Sequence, residues 1–353
     1  MLTKLLYNAL HLGMMVFPVH MSCDYSGGSI PIIRGYSDAR NLYILLAAAT
    51  LLSLLGLALQ WFRSRHPATA ADGGLLLLAL ATVLIPLLPA SHFLLDVAFV
   101  LAERLLYLPS AGVCLLLASL TWRVLKVGRL QAAASRRRRR RGYMGAMLLL
   151  VAVYSVKAVS WSWQWRSPPS LFAASLKTVP RNAKLHSNYA IMLGDDVEYA
   201  QTKLLHYRLA AALEPDNSRY ARNLGALLQR LQRWSEALAV YHAGLAAGRS
   251  YMVDFTGKPS DQAAMSQFAG AILLACHQYQ SALRLLRLAT AIAPGDDTPA
   301  DRLRKTAEAV ITDNNARKQW QLDTENYYEL CFAVNARTDL DWVSVTAALD
   351  VSG

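Results

Sequence analysis

The sequence predicts an all-α protein in two parts, a multi-pass membrane domain followed by a stack of helical repeats. Three observations predict it: a series of apolar runs before residue 160, an abrupt shift to polar composition after it, and a recurring spacing of small residues between 183 and 313. The overall 54% hydrophobic and 17% charged content of the 353 residues averages these halves and describes neither.

Taken in order, the apolar runs are Leu2 to Val19, Leu42 to Phe62, Gly74 to Leu88, Leu105 to Leu125 and Tyr143 to Val159. Most approach the roughly 17 to 25 residues that a spanning helix needs, so residues 1–160 read as about five membrane helices. A buried soluble helix imitates one such run, but not five in succession between short polar loops. The net charge of +12 invites a nucleic-acid partner. Its distribution argues against one, because Arg136 to Arg141 form a single run in the loop between two apolar segments, where Arg and Lys mark the cytoplasmic side. With that loop cytoplasmic, Arg63, Arg65 and His66 fall on the same side. The loops Met21 to Arg40 and Pro89 to Arg104, and everything from Ser160 onward, then face the lumen or the cell exterior. Met1 leads at once into an apolar segment rather than a cleavable signal. Trp161, Trp163 and Trp165 suit an interfacial belt better than a carbohydrate-stacking platform, and residues 161–182 read as an interfacial linker.

The second half carries tetratricopeptide-like spacing, in which small residues stand where two helices of a unit touch. One unit spans 218–249, with Leu224, Gly225, Leu228, Ala237 and Tyr241 at the signature positions. Another spans 263–294, with Ala269, Gly270, Leu273, Ala282, Leu286, Ala289 and the closing Pro294. A weaker unit spans 183–215, with Ala190, Tyr207, Ala210 and Pro215, and a partial fourth spans 298–313. Such units bury their apolar stripes by stacking, which predicts an α-solenoid with a concave groove. The groove either binds extended peptides or is purely architectural. Gly248 to Asp261 is too long for a standard turn and reads as a surface insertion. Residues 314–353 form a C-terminal cap or tail.

Cys23, Cys114, Cys276 and Cys331 show neither metal-ligand spacing nor a dense disulfide framework, so they read as unpaired, one bridge among Cys23, Cys276 and Cys331 being the alternative. His20, His92 and His186 are too far apart in sequence to suggest a ligand set, and no metal is predicted.

Two far-side loops hold more polar residues than anchoring requires. The first reads Cys23-Asp24-Tyr25-Ser26-Gly27-Gly28-Ser29-Ile30-Pro31 and continues through Ser37, Asp38, Ala39, Arg40 and Asn41. The second runs from Leu101 through Glu103, Arg104 and Tyr107 to Gly112. A Glu-Arg pair at a membrane mouth points to a functional site or to an ordinary interfacial ion pair. Asp24 before Tyr-Ser-Gly-Gly is a turn former or a contact for sugar or acceptor. Asp96 and Glu103 share a helix face if the intervening segment is helical.

These loops, the stretch Asn182-Ala183-Lys184-Leu185-His186 and the repeats together resemble the transmembrane and tetratricopeptide repeat-containing (TMTC) family of O-mannosyltransferases, from about Tyr7 to Pro294. The resemblance implies a multi-spanning enzyme of the GT-C class in the endoplasmic reticulum membrane, with the repeats in the lumen. It implies dolichyl phosphate mannose as a lipid-linked donor substrate, with no cofactor, and Ser or Thr of lumenal proteins as acceptors, with cadherin-like domains favoured. Members of the family extend further at both ends, so the chain is expected to be a truncated member without the acidic pair of the first lumenal loop. Tyr25 stands where the family often has Trp.

Mannosyl transfer needs a carboxylate to take the acceptor's proton and cations to stabilise the departing phosphate. Glu103 and Asp24 are the catalytic candidates, Glu103 orienting Arg104 or the sugar. Arg104 is the first candidate for the donor phosphate, with Arg34 and Arg40 secondary. The competing reading is an inactive, membrane-anchored repeat scaffold that recruits lumenal partners.

Overall fold

In the computed structural model, residues 1–19, 21–26, 28–94, 100–127, 133–247 and 259–324 are described, together with 331, 334 and 340. All regular elements among them are helical, and the chain divides into two compact units, Met1–Asn182 and Ala183–Gly353.

The first unit contains α1 (Leu2–Val16), α2 (Arg40–Phe62), α3 (Pro67–Leu84), α4 (Tyr107–Val127), α5 (Ala133–Gln164) and α6 (Pro168–Thr178). Among the described residues, four segments are long and apolar enough to cross a membrane: Arg40–Phe62, Pro67–Leu87, Glu103–Arg123 and Arg140–Gln164. The first run, expected as a fifth crossing, forms the 15-residue α1 and falls short of that length. The outward faces match a lipid environment. Only Ala58 of α2 is buried, and no residue of the Arg140–Gln164 span is buried.

With lipid outside, burying leucine against leucine gains little, so close approach of backbones must hold the helices together. Gly73 supplies one such approach, since a Cβ there would lie 2.2 Å from the Phe62 backbone nitrogen of α2. Gly112 supplies another, its Cβ position lying 2.7 Å from the Ala79 carbonyl oxygen of α3. One ion pair adds to them. Arg123 of α4 meets Asp72 of α3 at 2.8 Å while its guanidinium lies 3.9 Å from the centre of the Trp61 ring.

The arginine run is not a loop. Residues 133–141 form the first turns of α5. Arginine is a strong helix former, and a solvated start to a long helix disperses its charges around the axis.

The second unit is built of successive antiparallel pairs: α7 (Ala183–Met192) with α8 (Ala200–Leu213), α9 (Ser218–Arg230) with α10 (Trp234–Ala247), α11 (Pro259–Ala275) with α12 (Tyr279–Ile292), and α13 (Pro299–Thr312) with α14 (Asn314–Asp323). Side-chain caps start several of them. Asn217 accepts from the Arg219 N–H, and Thr298 accepts from the Asp301 N–H beside Pro299 in the first turn. Small residues mark the crossings. A Cβ on Gly225 would lie 2.2 Å from the Tyr241 ring, and one on Gly270 would lie 2.8 Å from Leu286. Ala237 and Ala282 are fully buried on the facing helices, and Pro294 follows the end of α12.

The turn chemistry also recurs. Gln232 and His277 both take a left-handed backbone, and the next residues, Arg233 and Gln278, donate at 2.8 Å to the Leu228 and Leu273 carbonyls. The C-terminal segment packs on the same core. Trp320 donates its indole N–H to the Leu274 carbonyl at 3.0 Å, and Val334 and Leu340 join the apolar cluster. Cys276 and Cys331 form a disulfide across 55 residues, which corrects the expectation of unpaired thiols. Their separation in sequence hides a Cα–Cα distance of 4.9 Å. Of the insertion at 248–261, residues 248–258 lie outside the described residues.

Candidate functional site

The polar loops converge on one carboxylate. Glu103 opens a 3₁₀ turn, Glu103–Leu106, that leads directly into α4. Its Oε1 accepts from the Ser22 backbone N–H at 2.7 Å and from the Tyr25 hydroxyl at 2.9 Å. The Trp161 side chain, near the end of α5, hydrogen-bonds the same carboxylate. Three segments far apart in sequence are therefore tied to a single group. A carboxylate with several donors is well held, because charge-assisted hydrogen bonds are stronger than neutral ones.

The loop around residues 22–26 is held from its other side as well. The Cys23 N–H donates to Ser175 Oγ of α6 at 3.1 Å, and the Asn182 amide donates to the Asp24 carbonyl at 3.2 Å. Ser175 and Asn182 are both fully buried. Asp24 Oδ1 accepts from the Ser26 N–H at 2.7 Å and from the Ser26 hydroxyl, which closes an Asx turn. The turn-forming role of Asp24 is thus visible directly. Gly28 then takes a positive φ of 72°, as a reversal after such a turn requires.

Burial shapes the titration of this loop. The Tyr25 hydroxyl is pushed well above its ordinary value, first by burial and then by the Glu103 charge. The Cys23 thiol is likewise raised, mainly by burial. Both stay protonated at neutral pH, and Tyr25 therefore remains a donor to Glu103.

The expected Glu103–Arg104 partnership is absent. Successive residues of a 3₁₀ turn point about 120° apart. Glu103 turns toward Tyr25 and Trp161, whereas Arg104 is exposed and pairs with no described residue. Arg34 is also exposed. Arg40 is engaged by its own loop, pairing with Asp38 at 2.6 Å and donating to the Pro31 and Ile32 carbonyls. That guanidinium holds the Asp38 carboxyl down at about 2. Asp96 and His20 lie outside the described residues.

Trp161 differs from its two neighbours. Trp163 and Trp165 are exposed, as interfacial anchors are, but Trp161 turns inward to Glu103. An i, i+2, i+4 series on a helix spreads around the axis, so the three residues do not share one role. Ser175 carried no signal in the sequence, and neither did the Asp72–Arg123 pair. Among the described residues, no group of three or more His, Cys, Asp or Glu side chains is placed to hold a metal ion.

A family model described as "Protein O-mannosyl-transferase TMTC, DUF1736" matches residues 1–52, which cover α1, the Asp24–Tyr25 loop and the first half of α2. Protein O-mannosyl-transferase TMTC1 of Mus musculus is 36% identical over 220 residues, 62% of this chain and 22% of the relative. Over these stretches the chain is similar to the TMTC proteins. Among other relatives, Protein O-mannosyl-transferase Tmtc3 of Drosophila melanogaster is 29% identical over 228 residues, 65% of the chain and 23% of the relative. TMTC4 of Mus musculus is 35% identical over 190 residues, 54% of the chain and 24% of the relative. The chain thus spans less than a quarter of the length of these TMTC proteins. No solved structure matches it.

Proposed function

We propose that this chain is part of a membrane mannosyltransferase that moves mannose from dolichyl phosphate mannose to Ser or Thr hydroxyls of proteins in the endoplasmic reticulum lumen. The observation that carries the proposal is the Glu103 anchor. It draws a polar loop, the start of one apolar span and the end of another into one fixed assembly, which a bare membrane anchor does not require. The names of the relatives supply the reaction class.

In the transfer, the acceptor oxygen bonds to mannose C1 as the bond from C1 to the phosphate oxygen breaks. Dolichyl phosphate leaves with that electron pair, and the hydroxyl proton passes to a carboxylate. Glu103 acts as a positioning residue that fixes the loop, and Asp24 on that loop is this chain's candidate for the proton. Arg104 and Arg34, exposed and cationic, are candidates for the donor's phosphate. The helix pairs of the second unit form a tetratricopeptide-type solenoid that presents acceptor proteins, cadherin-like domains among them, on the lumenal side.

A scaffold without chemistry is the second reading, favoured by the use of both carboxylates in the chain's own hydrogen bonds. Mannose transfer from radiolabelled dolichyl phosphate mannose, measured in membranes carrying the chain, separates the two. Activity that Glu103→Gln and Asp24→Asn each lower by about 100-fold or more supports the enzyme, in the range expected for lost acid–base or positioning groups. Unchanged transfer in both variants removes these residues from the mechanism. No transfer above membranes lacking the chain favours the scaffold.

A further inference from the structure

Lys157 lies inside the Arg140–Gln164 span, seven residues before its end and hence about 10 Å along the helix axis. A charge at that depth is costly in hydrocarbon, so such residues face a protein-lined cavity and mark ligand sites. A cavity is present. Lys157, Ser160, Trp161 and Gln164 follow the i, i+3, i+4, i+7 spacing and therefore share one face of α5. Opposite them, Ser170, Lys177 and Thr178 of α6 line the same space, and the short side chain of Ala173 leaves it open. The volume is about 460 Å³, within the roughly 300 to 1,000 Å³ of small-molecule sites.

The charge of this space is one-sided. Two lysines line it, no Asp or Glu lines it, and neither lysine pairs with a carboxylate of a described residue. Among the described residues, Lys157 makes one hydrogen bond, a long one of 3.3 Å to the Val19 carbonyl. Hydroxyls of Ser160 and Thr178 and the Gln164 amide supply neutral donors. Two cations with convergent donors and no counter-charge are suited to a phosphate, which lysine binds as a point charge.

We propose that the cleft between the end of α5 and α6 is a binding site for a phosphate head group, with Lys157 and Lys177 as its paired cationic arms. Its position at the end of an apolar span suits a phosphate carried by a polyisoprenoid lipid. Trp161 borders the cleft and also hydrogen-bonds Glu103, so a phosphate held here lies next to the anchored loop. The site deepens the mannosyltransferase reading and takes only the identity of the lipid from it. In that reading the two lysines join Arg104 and Arg34 as candidates for the donor's phosphate.

The test is direct binding to the full chain in detergent micelles, with a radiolabelled short-chain isoprenyl phosphate as probe. Competitors are the corresponding isoprenol and inorganic phosphate. Lys157→Gln and Lys177→Gln should each weaken binding by about tenfold, the loss expected for one charge-assisted contact, and the double variant by more. Lys157→Arg should retain most of it. Competition by the isoprenyl phosphate far stronger than by inorganic phosphate identifies a lipid source; equal competition identifies a soluble phosphate, and either supports the site. Binding unchanged in the monodisperse double variant, or competition by the isoprenol as strong as by its phosphate, overturns it. Transfer activity is not read in this assay. A chain that binds the probe but transfers no mannose sinks the enzyme and leaves the site standing, and transfer without lysine-dependent binding does the reverse.

Discussion

The two units pack helices against each other with the same device and opposite surroundings. Gly73 and Gly112 in the first unit and Gly225 and Gly270 in the second all stand where a Cβ would strike the neighbouring helix. Beyond that contact they diverge. The first unit leaves Leu42, Leu45, Leu46 and Leu52 of α2 exposed, and the second buries Leu224, Leu228, Leu273 and Leu286 and sets ion pairs such as Arg287–Glu308 on its surface. Helix contact alone therefore does not decide which face is apolar. In water, burial of leucine drives association, whereas in lipid close backbone approach and a few shielded polar contacts must suffice.

The contrast can be broken most strongly in the core of the second unit. Leu286→Ala removes a fully buried side chain and should cost about 2 to 5 kcal/mol, read as a lower denaturation midpoint of the chain. A loss under about 1 kcal/mol would mean that this core is not tightly packed.

The next effect belongs to the first unit. Asp72→Ala leaves Arg123 without its buried partner and should cost on the order of 3 kcal/mol in detergent, while Glu308→Ala on the surface of the second unit should cost less than about 1 kcal/mol. Equal losses would remove the distinction between the two settings.

Glycine at the crossings is the shared feature, and alanine there tests it. Gly112→Ala and Gly225→Ala should each destabilise by about 1 to 3 kcal/mol through overpacking, despite alanine's better helix propensity. Stabilisation in both would show that the helices can part at little cost.

The smallest effect is a pH dependence confined to the second unit. His186 of α7 and His206 of α8 meet with ring nitrogens 2.8 Å apart, and Tyr189 packs edge-on against His206. Burial, and then the facing His186, hold His206 below its ordinary value of 6.5. The unfolded chain takes up that proton first as pH falls, so the contribution is complete above about 6.5 and is lost as pH drops through the folded value. His206→Gln should flatten this slope in thermal melts between pH 7 and 5 while leaving the response of the first unit unchanged.

Much of the helix pattern was legible because it is local. Four of the apolar runs became helices of spanning length, and the Gly225, Ala237, Gly270 and Ala282 spacing marked helix crossings before any contact was known. The candidate site was less legible. Tyr25 and Glu103 stood out individually, yet their hydrogen bond joins residues 78 apart, and Cys23 reaches Ser175 across 152. The six-arginine run misled for the opposite reason, since charge marks a side of the membrane but does not end a helix.

Composition and periodicity by themselves determined that the chain is helical, that its first half is suited to lipid and that small residues recur at fixed intervals in its second half. These are properties of neighbours within a few turns, and a one-dimensional string records them completely. Only the tertiary structure decided that Glu103 holds Tyr25 and Trp161 rather than Arg104, that Cys276 bonds Cys331, and that Lys157 and Lys177 face one cavity. Each of those choices depends on which distant segments meet. That is set by the packing of whole helices and not by the residues adjacent in sequence.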